Sequence, residues 1–212
     1  MVKPLHSKEP VDARAFQESF DTFYTKTARL YDLAVKFLPW WTTWLESALP
    51  NIQGQRVLEV SFGTGYLLMQ YADKFETHGI DINARMVDVA RENLEKKGIS
   101  ADLKQANVEQ LPYADEYFDT VISTMALSGY PDGARAMSEI RRVIKPGGRL
   151  ILIDVYYPAN HNWLGMKMTR FWGRLGDIIR DVGRLLEEHG FDYEDREIGG
   201  FGSIHMYICN RR

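Results

Sequence analysis

The stretch of sequence that decides the fold of this chain is RVLEVSFGTG, at residues 56–65. Its first five residues are mostly apolar, and the run has the length of a buried strand. Gly63 and Gly65 follow, and glycine lets the backbone adopt a positive φ and approach a ligand closely. We predict a helix over 65–74, whose first N–H groups point at that ligand. A strand, a glycine turn and a helix in this order hold a nucleotide-like ligand at the carboxyl edge of an open α/β sheet.

A carboxylate at the end of the next predicted strand, 76–81, sharpens this prediction. Asp81 is well suited to accept hydrogen bonds from the two hydroxyls of a ribose. Aspartate is also a preferred N-cap, so the alternative is that Asp81 caps the helix predicted over 84–97. Together with the glycine turn, ribose binding is the better interpretation.

Composition restricts the class of protein. The chain has 212 residues, of which 45% are hydrophobic and 26% charged, which suits one globular domain with a substantial core. A net charge of −3 argues against a broad nucleic-acid surface, so we expect no nucleic-acid partner. A single cysteine, Cys209, excludes an internal disulfide and a cysteine-rich zinc site. No histidine pair has the spacing of metal ligands, and we predict no metal.

The sequence contains no targeting signal that we recognise. The first residues lack the apolar core of a signal peptide, and no apolar run reaches the roughly 20 residues of a membrane span. We therefore expect a cytoplasmic protein that is at most peripheral to a membrane.

Strands alternate with helices, which predicts an α/β fold with a doubly wound, mostly parallel sheet. The predicted strands are 56–61, 76–81, 101–106, 118–124 and 149–155, followed by an antiparallel hairpin of 191–198 and 203–210. The predicted helices are 65–74, 84–97, 132–144 and 175–189, after N-terminal helices over 12–38 and from Pro39. We expect a single domain made of an N-terminal helical cap (1–50), a cofactor-binding core (56–155), an insertion over the substrate (157–174) and a C-terminal helix and hairpin (175–212).

From Arg56 to Asp154 the chain resembles the class I S-adenosylmethionine-dependent methyltransferases. Four segments match the family's motifs in the right order, at 57–65, 80–82, 106–121 and 140–148. The resemblance implies a Rossmann-like fold with a seven-stranded sheet, S-adenosyl-L-methionine as the cofactor and methyl transfer as the reaction. The resemblance also implies cofactor contacts from Glu59, Ser61, Gly63, Gly65, Asp81, Ile82, Met86, Asn107, Val108, Ser123 and Thr124.

Each of these contacts has an implied partner on the cofactor. Glu59 orients the amino group, the backbone at 123–124 meets the methionine end, and Asp81 holds the ribose. Asn107 and Val108 bind the adenine. Ile82 and Met86 sandwich the ring, although core packing is the alternative for these two and for Val108.

Two positions depart from the family's pattern. Ser61 replaces the first glycine of the first motif; it either donates a hydrogen bond to the methionine carboxylate or crowds the site if its φ is positive. Asn107 replaces the usual aspartate of the adenine loop, and its amide can still accept and donate.

The acceptor side is less well defined by the sequence. Transfer of a methyl group from a sulfonium needs alignment and exclusion of water, and a general base only if the nucleophile loses a proton. Our candidates for catalytic residues are Tyr24, Tyr31, Asp154 and His161, and further polar candidates are Asp32, Tyr130, Tyr156 and Tyr157. For each tyrosine the alternative is half-buried packing, and for His161 it is a surface loop.

Two aromatic segments bear on the acceptor. Trp40, Trp41 and Trp44 share one face of the helix that begins at Pro39, and residues 157–174 mix aromatic residues and methionines with basic residues. Such mixing suits the headgroup region of a membrane, and burial against the sheet is the alternative. We therefore predict an apolar or amphiphilic acceptor, such as a quinone or a phospholipid, and a peripheral membrane contact.

Two other functions are open at this stage. A nicotinamide-dependent oxidoreductase shares the acid after the second strand, but its fingerprint requires a third glycine where this chain has Leu68. A non-catalytic protein that binds S-adenosylmethionine is the second alternative, because Ser61 and Asn107 depart from the family's pattern. An RNA methyltransferase is disfavoured by the acidic balance of charge.

Overall fold

The computed structural model of this protein describes residues 39–212 and, before them, residues 10, 12 and 15. The strands of this part of the chain are Arg56–Val60 (β1), Glu76–Asp81 (β2), Asp102–Gln105 (β3), Phe118–Thr124 (β4), Ile144–Val155 (β5), Phe191–Gly199 (β6) and Ile204–Arg211 (β7). They form one sheet in the order β3-β2-β1-β4-β5-β7-β6. Strands β1 to β5 are parallel, and β7 is antiparallel to both β5 and β6. The predicted sheet, with its antiparallel last strand, is confirmed.

Helices cover both faces of this sheet. They are Pro39–Glu46 (α1), Leu68–Tyr71 (α2), Ala84–Lys96 (α3), Gly133–Val143 (α4), Trp163–Leu175 (α5) and Val182–Glu188 (α6). Neighbouring residues of one strand enter opposite layers of the core: Val57 belongs to one apolar cluster and Leu58 to the other. Residues 150–153 of β5 are at most 1% exposed, as a continuous apolar run in a doubly covered strand predicts.

The direction of the chain reverses between β1 and β4. The chain runs from β1 outward to β2 and β3, and then returns to add β4 on the other side of β1. Ligands of open α/β sheets bind at such a switch point, outside the carboxyl ends of the strands. The glycine turn after β1 lies at this point.

The predicted helix over 65–74 is wrong in its first turn, because α2 begins only at Leu68. Gly63 and Gly65 have φ values of 58° and 76°, which a right-handed helix does not accommodate. The tight turn therefore extends further along the chain than the sequence suggested.

The predicted strand 149–155 begins earlier, at Ile144. Ile144 pairs with Phe118, and after a shift of register Arg149 pairs with Thr120. The residues between them form a bulge in which Gly147 has a φ of 74°. Residues 145–148, which lie between the predicted helix 132–144 and the predicted strand, thus form an irregularity inside β5.

The predicted helix 175–189 is wrong over its first half. Helix α5 continues to Leu175 and ends at Gly176, whose φ of 116° is a left-handed cap. Helix α6 begins only at Val182, where the side chain of Asp181 accepts a hydrogen bond from the Arg184 N–H. The helix predicted over 12–38 lies outside the described residues.

A candidate cofactor and acceptor cleft

A cleft opens at the carboxyl ends of β1, β2 and β4. It comprises about 1240 Å³, including the space at its open mouth. Nine of the residues predicted to contact the cofactor line it: Glu59, Ser61, Gly63, Asp81, Ile82, Met86, Asn107, Val108 and Thr124. The predicted site is therefore one continuous surface.

Asp81 fixes the glycine turn from the end of β2. Its carboxylate accepts the Gly63 N–H at 2.9 Å through one oxygen and the Asn83 N–H at 2.9 Å through the other. The N-cap of α3 is Asn83, whose side chain accepts the Met86 N–H at 3.0 Å, so the alternative that Asp81 caps this helix is wrong. A carboxylate oxygen can accept more than one hydrogen bond, which suits Asp81 to ribose hydroxyls.

Gly65 and Ser123 are not among the residues that line the cleft. A Cβ added to Gly65 would lie 3.0 Å from the Cβ of Ala90, so this glycine lets the turn pack closely against α3. Ser123 is fully buried within β4, and the next residue, Thr124, faces the cleft instead.

Ser61 stands at a position where the family's pattern has glycine. It adopts a left-handed backbone conformation. Its φ is 56°, its N–H donates to the Ile80 carbonyl at 2.7 Å, and its hydroxyl lies 2.9 Å from the Tyr130 hydroxyl. Burial raises the pKa of Tyr130, and the hydroxyls of Ser61 and Ser123 oppose that rise. Tyr130 therefore stays a neutral hydroxyl in the wall of the cleft.

Glu59 lies at the inner end of the cleft. It is 1% exposed, and the Tyr71 hydroxyl donates to it at 3.0 Å. Burial raises the pKa of Glu59 to about 8, the hydrogen bond from Tyr71 opposes this, and the charge of Asp81 adds to it. A cation beside Glu59 would favour its ionised form.

The residues predicted to bind the adenine form a more apolar part of the lining. Met86 and Val108 are buried, whereas Ile82 is 37% exposed, so core packing does not account for Ile82. The side-chain oxygen of Asn107 accepts the Glu109 N–H at 2.9 Å and so shapes the short turn at 108–110. Together these residues form a slot with a mainly apolar lining, to which the family resemblance assigns the adenine ring.

Aromatic and apolar residues line the remaining wall. Trp41 and Leu45 reach the cleft from α1, and Met125 reaches it from the end of β4. Tyr66 joins the glycine turn to α1, because its hydroxyl donates to Glu46 at 2.6 Å. This wall, together with Tyr130, offers a mainly apolar site beside the predicted cofactor site.

Sequence reasoning missed Asp177, which also lines the cleft. The Ser128 hydroxyl donates to Asp177 at 2.9 Å, and the Ser128 N–H donates to Asp154 at 3.0 Å. Burial, followed by the charge of Asp154, raises the pKa of Asp177 to about 6, against the hydrogen bond from Ser128. Asp177 is thus a carboxylate that can exchange a proton near neutral pH.

The predicted catalytic residues lie elsewhere or outside the described residues. Asp154 is 1% exposed and accepts the N–H groups of Ser128 and Val155, and burial raises its pKa. His161 is an exposed residue ahead of α5. Neither lines the cleft, nor do Tyr156 and Tyr157. The residues outside the described ranges are Tyr24, Tyr31 and Asp32.

Within residues 39–212, each helix is too short or too polar to span a bilayer. No three side chains of histidine, cysteine, aspartate or glutamate form a metal-binding group there. The absence of a metal stays a prediction.

Comparison with known proteins agrees with the geometry of the cleft. Residues 58–152 match the model of a methyltransferase domain. The chain is 37% identical to phosphatidylethanolamine N-methyltransferase of Cereibacter sphaeroides over 49% of its own length and 52% of the relative's. It is 31% identical to the ubiquinone/menaquinone biosynthesis C-methyltransferase of Proteus mirabilis over 71% and 64% of the two chains. These matches support a class I S-adenosylmethionine-dependent methyltransferase, with the methyltransferase domain over residues 58–152.

A solved structure supports the fold. An S-adenosylmethionine-dependent methyltransferase from Aquifex aeolicus superimposes with a TM-score of 0.63 at 21% identity, covering 79% of this chain and 89% of that one. The matches cover 52% and 64% of the two relatives, so this methyltransferase spans about half to two thirds of their length.

The residues of the cleft fit S-adenosylmethionine, the family's cofactor. A Cβ added to Gly63 would find no protein atom within 4 Å, so the turn leaves room for a ligand. Glu59 in its ionised form, which a neighbouring cation favours, complements an ammonium group, and Asp81 offers acceptors for hydroxyl groups. The amino group and the ribose of the cofactor thus have chemically matched partners.

Proposed function

We propose that this methyltransferase transfers a methyl group from S-adenosylmethionine to a small apolar or amphiphilic acceptor, similar to a quinone or a phospholipid. The observation that carries this proposal is the continuity of the cleft, which passes from the charged residues after β1 and β2 to the apolar wall of Trp41, Leu45 and Met125. When bound, the cofactor supplies an activated methyl group on a sulfonium. The protein then has to align the acceptor with this methyl group and to exclude water.

In this proposal the charged residues hold the cofactor. Glu59 binds its amino group, Asp81 binds the ribose, and the slot of Ile82, Met86 and Val108 binds the adenine. Gly63 leaves the space for the cofactor empty, because a side chain at that position would project into this space.

The apolar wall binds the acceptor and keeps water away from the reacting centre. Asp177 also lines the cleft, and we assign to it the proton that the acceptor's nitrogen or carbon atom loses on methylation. A carboxylate with a pKa of about 6 is ionised at neutral pH and still basic enough to accept a proton.

The names of the relatives support an amphiphilic acceptor. One is a phosphatidylethanolamine N-methyltransferase and the other acts in ubiquinone and menaquinone biosynthesis. Their acceptors differ in the atom methylated, but both combine an apolar part with a polar end. A cleft that combines an apolar wall with carboxylates suits that class of molecule.

The test is a transfer experiment with S-adenosylmethionine that carries a tritiated methyl group. The full chain is incubated with a total bacterial extract, and products are partitioned between organic and aqueous phases. The control is Gly63→Val, which fills the cofactor space and should abolish transfer. We expect label in the organic phase with the wild-type protein only.

Other outcomes separate the alternatives. Label only in the aqueous phase would refute the amphiphilic acceptor and keep the methyltransferase. Binding of S-adenosylmethionine without transfer to any fraction would favour a non-catalytic protein that binds the cofactor.

A further inference from the structure

Helix α5 exposes a row of large apolar side chains. Leu164, Phe171 and Leu175 are 38%, 51% and 59% exposed, and their spacing of seven and four residues places them on one face of the helix. The opposite face is fixed to the protein, because Met166 and Thr169 are buried. Burial against the sheet, the alternative considered for this segment, therefore applies to only half of the helix.

Three cations form a stripe next to this apolar row. Lys167, Arg170 and Arg174 are exposed and follow a spacing of three and four residues. No acidic residue occurs between Asp154 and Asp177, although the whole chain has a net charge of −3. Within residues 39–212 no carboxylate forms an ion pair with these three side chains. The stripe is thus a local positive field on an acidic protein.

Trp163 stands at the start of the same helix. It is 65% exposed, and the Lys167 ammonium lies 5.0 Å from the centre of its ring. Tryptophan favours the boundary between apolar and polar phases, where its ring is buried and its N–H stays hydrated.

The tip of the β6–β7 hairpin adds another exposed aromatic residue. Phe201 is 59% exposed and has a φ of 57°, which is strained for an aromatic side chain. Its carbonyl accepts a hydrogen bond from the Asn162 side chain at 2.9 Å, and Asn162 also caps α5. The hairpin tip is therefore fastened to the first turn of the helix.

Helix α5 also contacts the wall of the cleft. The ring of Trp172 lies 6.1 Å from that of Trp41, which lines the cleft. Helix α5 is thus a neighbour of the wall that Trp41 contributes to the cleft.

We propose that α5 and the hairpin tip dock the protein on an anionic lipid surface. The apolar row and Phe201 enter the boundary of the acyl chains, while the three cations contact the headgroups. The alternation of apolar and basic stripes on one exposed helix face favours a membrane over a second copy of the chain, because a stripe of like charges repels its own copy. This inference does not rest on the proposed reaction, since docking is measured without methyl transfer.

Co-sedimentation of the full chain with lipid vesicles tests the proposal. Vesicles of phosphatidylcholine with phosphatidylglycerol are compared with vesicles of phosphatidylcholine alone, at low and high salt. The variant Arg170→Gln/Arg174→Gln removes two cations from α5. Its matched control is Lys96→Gln/Lys97→Gln, which removes two exposed cations from the end of α3. Thermal unfolding checks that all variants fold.

We expect binding to the anionic vesicles that weakens at high salt. The arginine variant should bind roughly tenfold to thirtyfold more weakly, and the lysine control should bind like the wild-type protein. The variant Phe171→Ser/Leu175→Ser should lose binding to the same extent or more.

Three results would overturn the proposal. The first is no binding to anionic vesicles. The second is equal loss in the lysine control, which would reveal a non-specific charge effect. The third is a dimer in solution that Phe171→Ser/Leu175→Ser dissociates, which would assign the face to a second copy.

Discussion

The hydroxyl oxygens of Ser61 and Tyr130 lie 2.9 Å apart, and this contact joins the end of β1 to the segment that follows β4. Both residues line the cleft. Ser61 holds a left-handed conformation that glycine adopts without strain, so the hydrogen bond is made at a conformational cost. The pair links the predicted cofactor end of the cleft to the acceptor wall.

Substitution of Ser61 separates the strain from the hydrogen bond. Ser61→Ala keeps the left-handed backbone and removes the bond to Tyr130, and should destabilise the protein by about 1 kcal/mol. Ser61→Gly also removes the bond but relieves the strain, so it should be more stable than Ser61→Ala by about 1 kcal/mol. Urea unfolding measures both. Equal stability of the two variants would show that the backbone at Ser61 is not strained.

The two glycines of the turn should respond differently to alanine. Gly63→Ala meets no protein atom within 4 Å, so it should lower cofactor affinity strongly and cost only about 1 kcal/mol of stability. Gly65→Ala places its methyl group 3.0 Å from Ala90, so it should be the less stable variant. Calorimetric titration and urea unfolding compare them. If a folded Gly65→Ala lost more cofactor affinity than Gly63→Ala, Gly65 rather than Gly63 would be the residue that leaves room for the cofactor.

Glu59 should make the stability of the protein depend on pH. Its pKa is raised to about 8 in the folded state, so folded Glu59 keeps a proton that the unfolded chain releases above about pH 4.5. Stability should therefore fall as pH rises from about 5 to 8, by an amount on the order of a few kcal/mol. Glu59→Gln should lack this part of the pH dependence in urea unfolding at several pH values. Parallel pH profiles of the two proteins would show that Glu59 does not titrate in this range.

Asp177 should govern the rate of transfer but not the binding of the cofactor. Asp177→Asn should lower the rate of label transfer by about 10²-fold or more, because it removes the proton acceptor. The wild-type rate should rise as pH increases through about 6, and the variant's profile should be flat there. Asp88→Asn, on the exposed face of α3, is the matched control. An unchanged rate in Asp177→Asn would exclude this role.

The local signals of the sequence located the sheet and most of the cleft. The strands that end at Asp81 and Thr124 were predicted with the bounds that the structure has. The glycine turn was predicted because Gly63 and Gly65 follow an apolar run directly.

What the sequence did not reveal depends on contacts between distant segments. Asp177 reaches the cleft only because Gly176 ends α5 there, and Ser128 and Asp154 then surround it. No local pattern distinguishes Asp177 from a surface aspartate. Likewise, the sequence showed that residues 157–174 mix aromatic and basic residues, but only packing determines that Phe171 is exposed while Met166 is buried.

The central claim is that the cleft at the ends of β1 and β2 binds S-adenosylmethionine with its ribose at Asp81. A calorimetric titration tests it most directly, with adenosine and 2′,3′-dideoxyadenosine as competitors and NAD as the rival ligand. We predict that S-adenosylmethionine binds more tightly than NAD, and that adenosine competes at least about tenfold better than the dideoxy compound, because two hydrogen bonds to a carboxylate are lost. Tighter binding of NAD, or equal competition by the two nucleosides, would contradict the account.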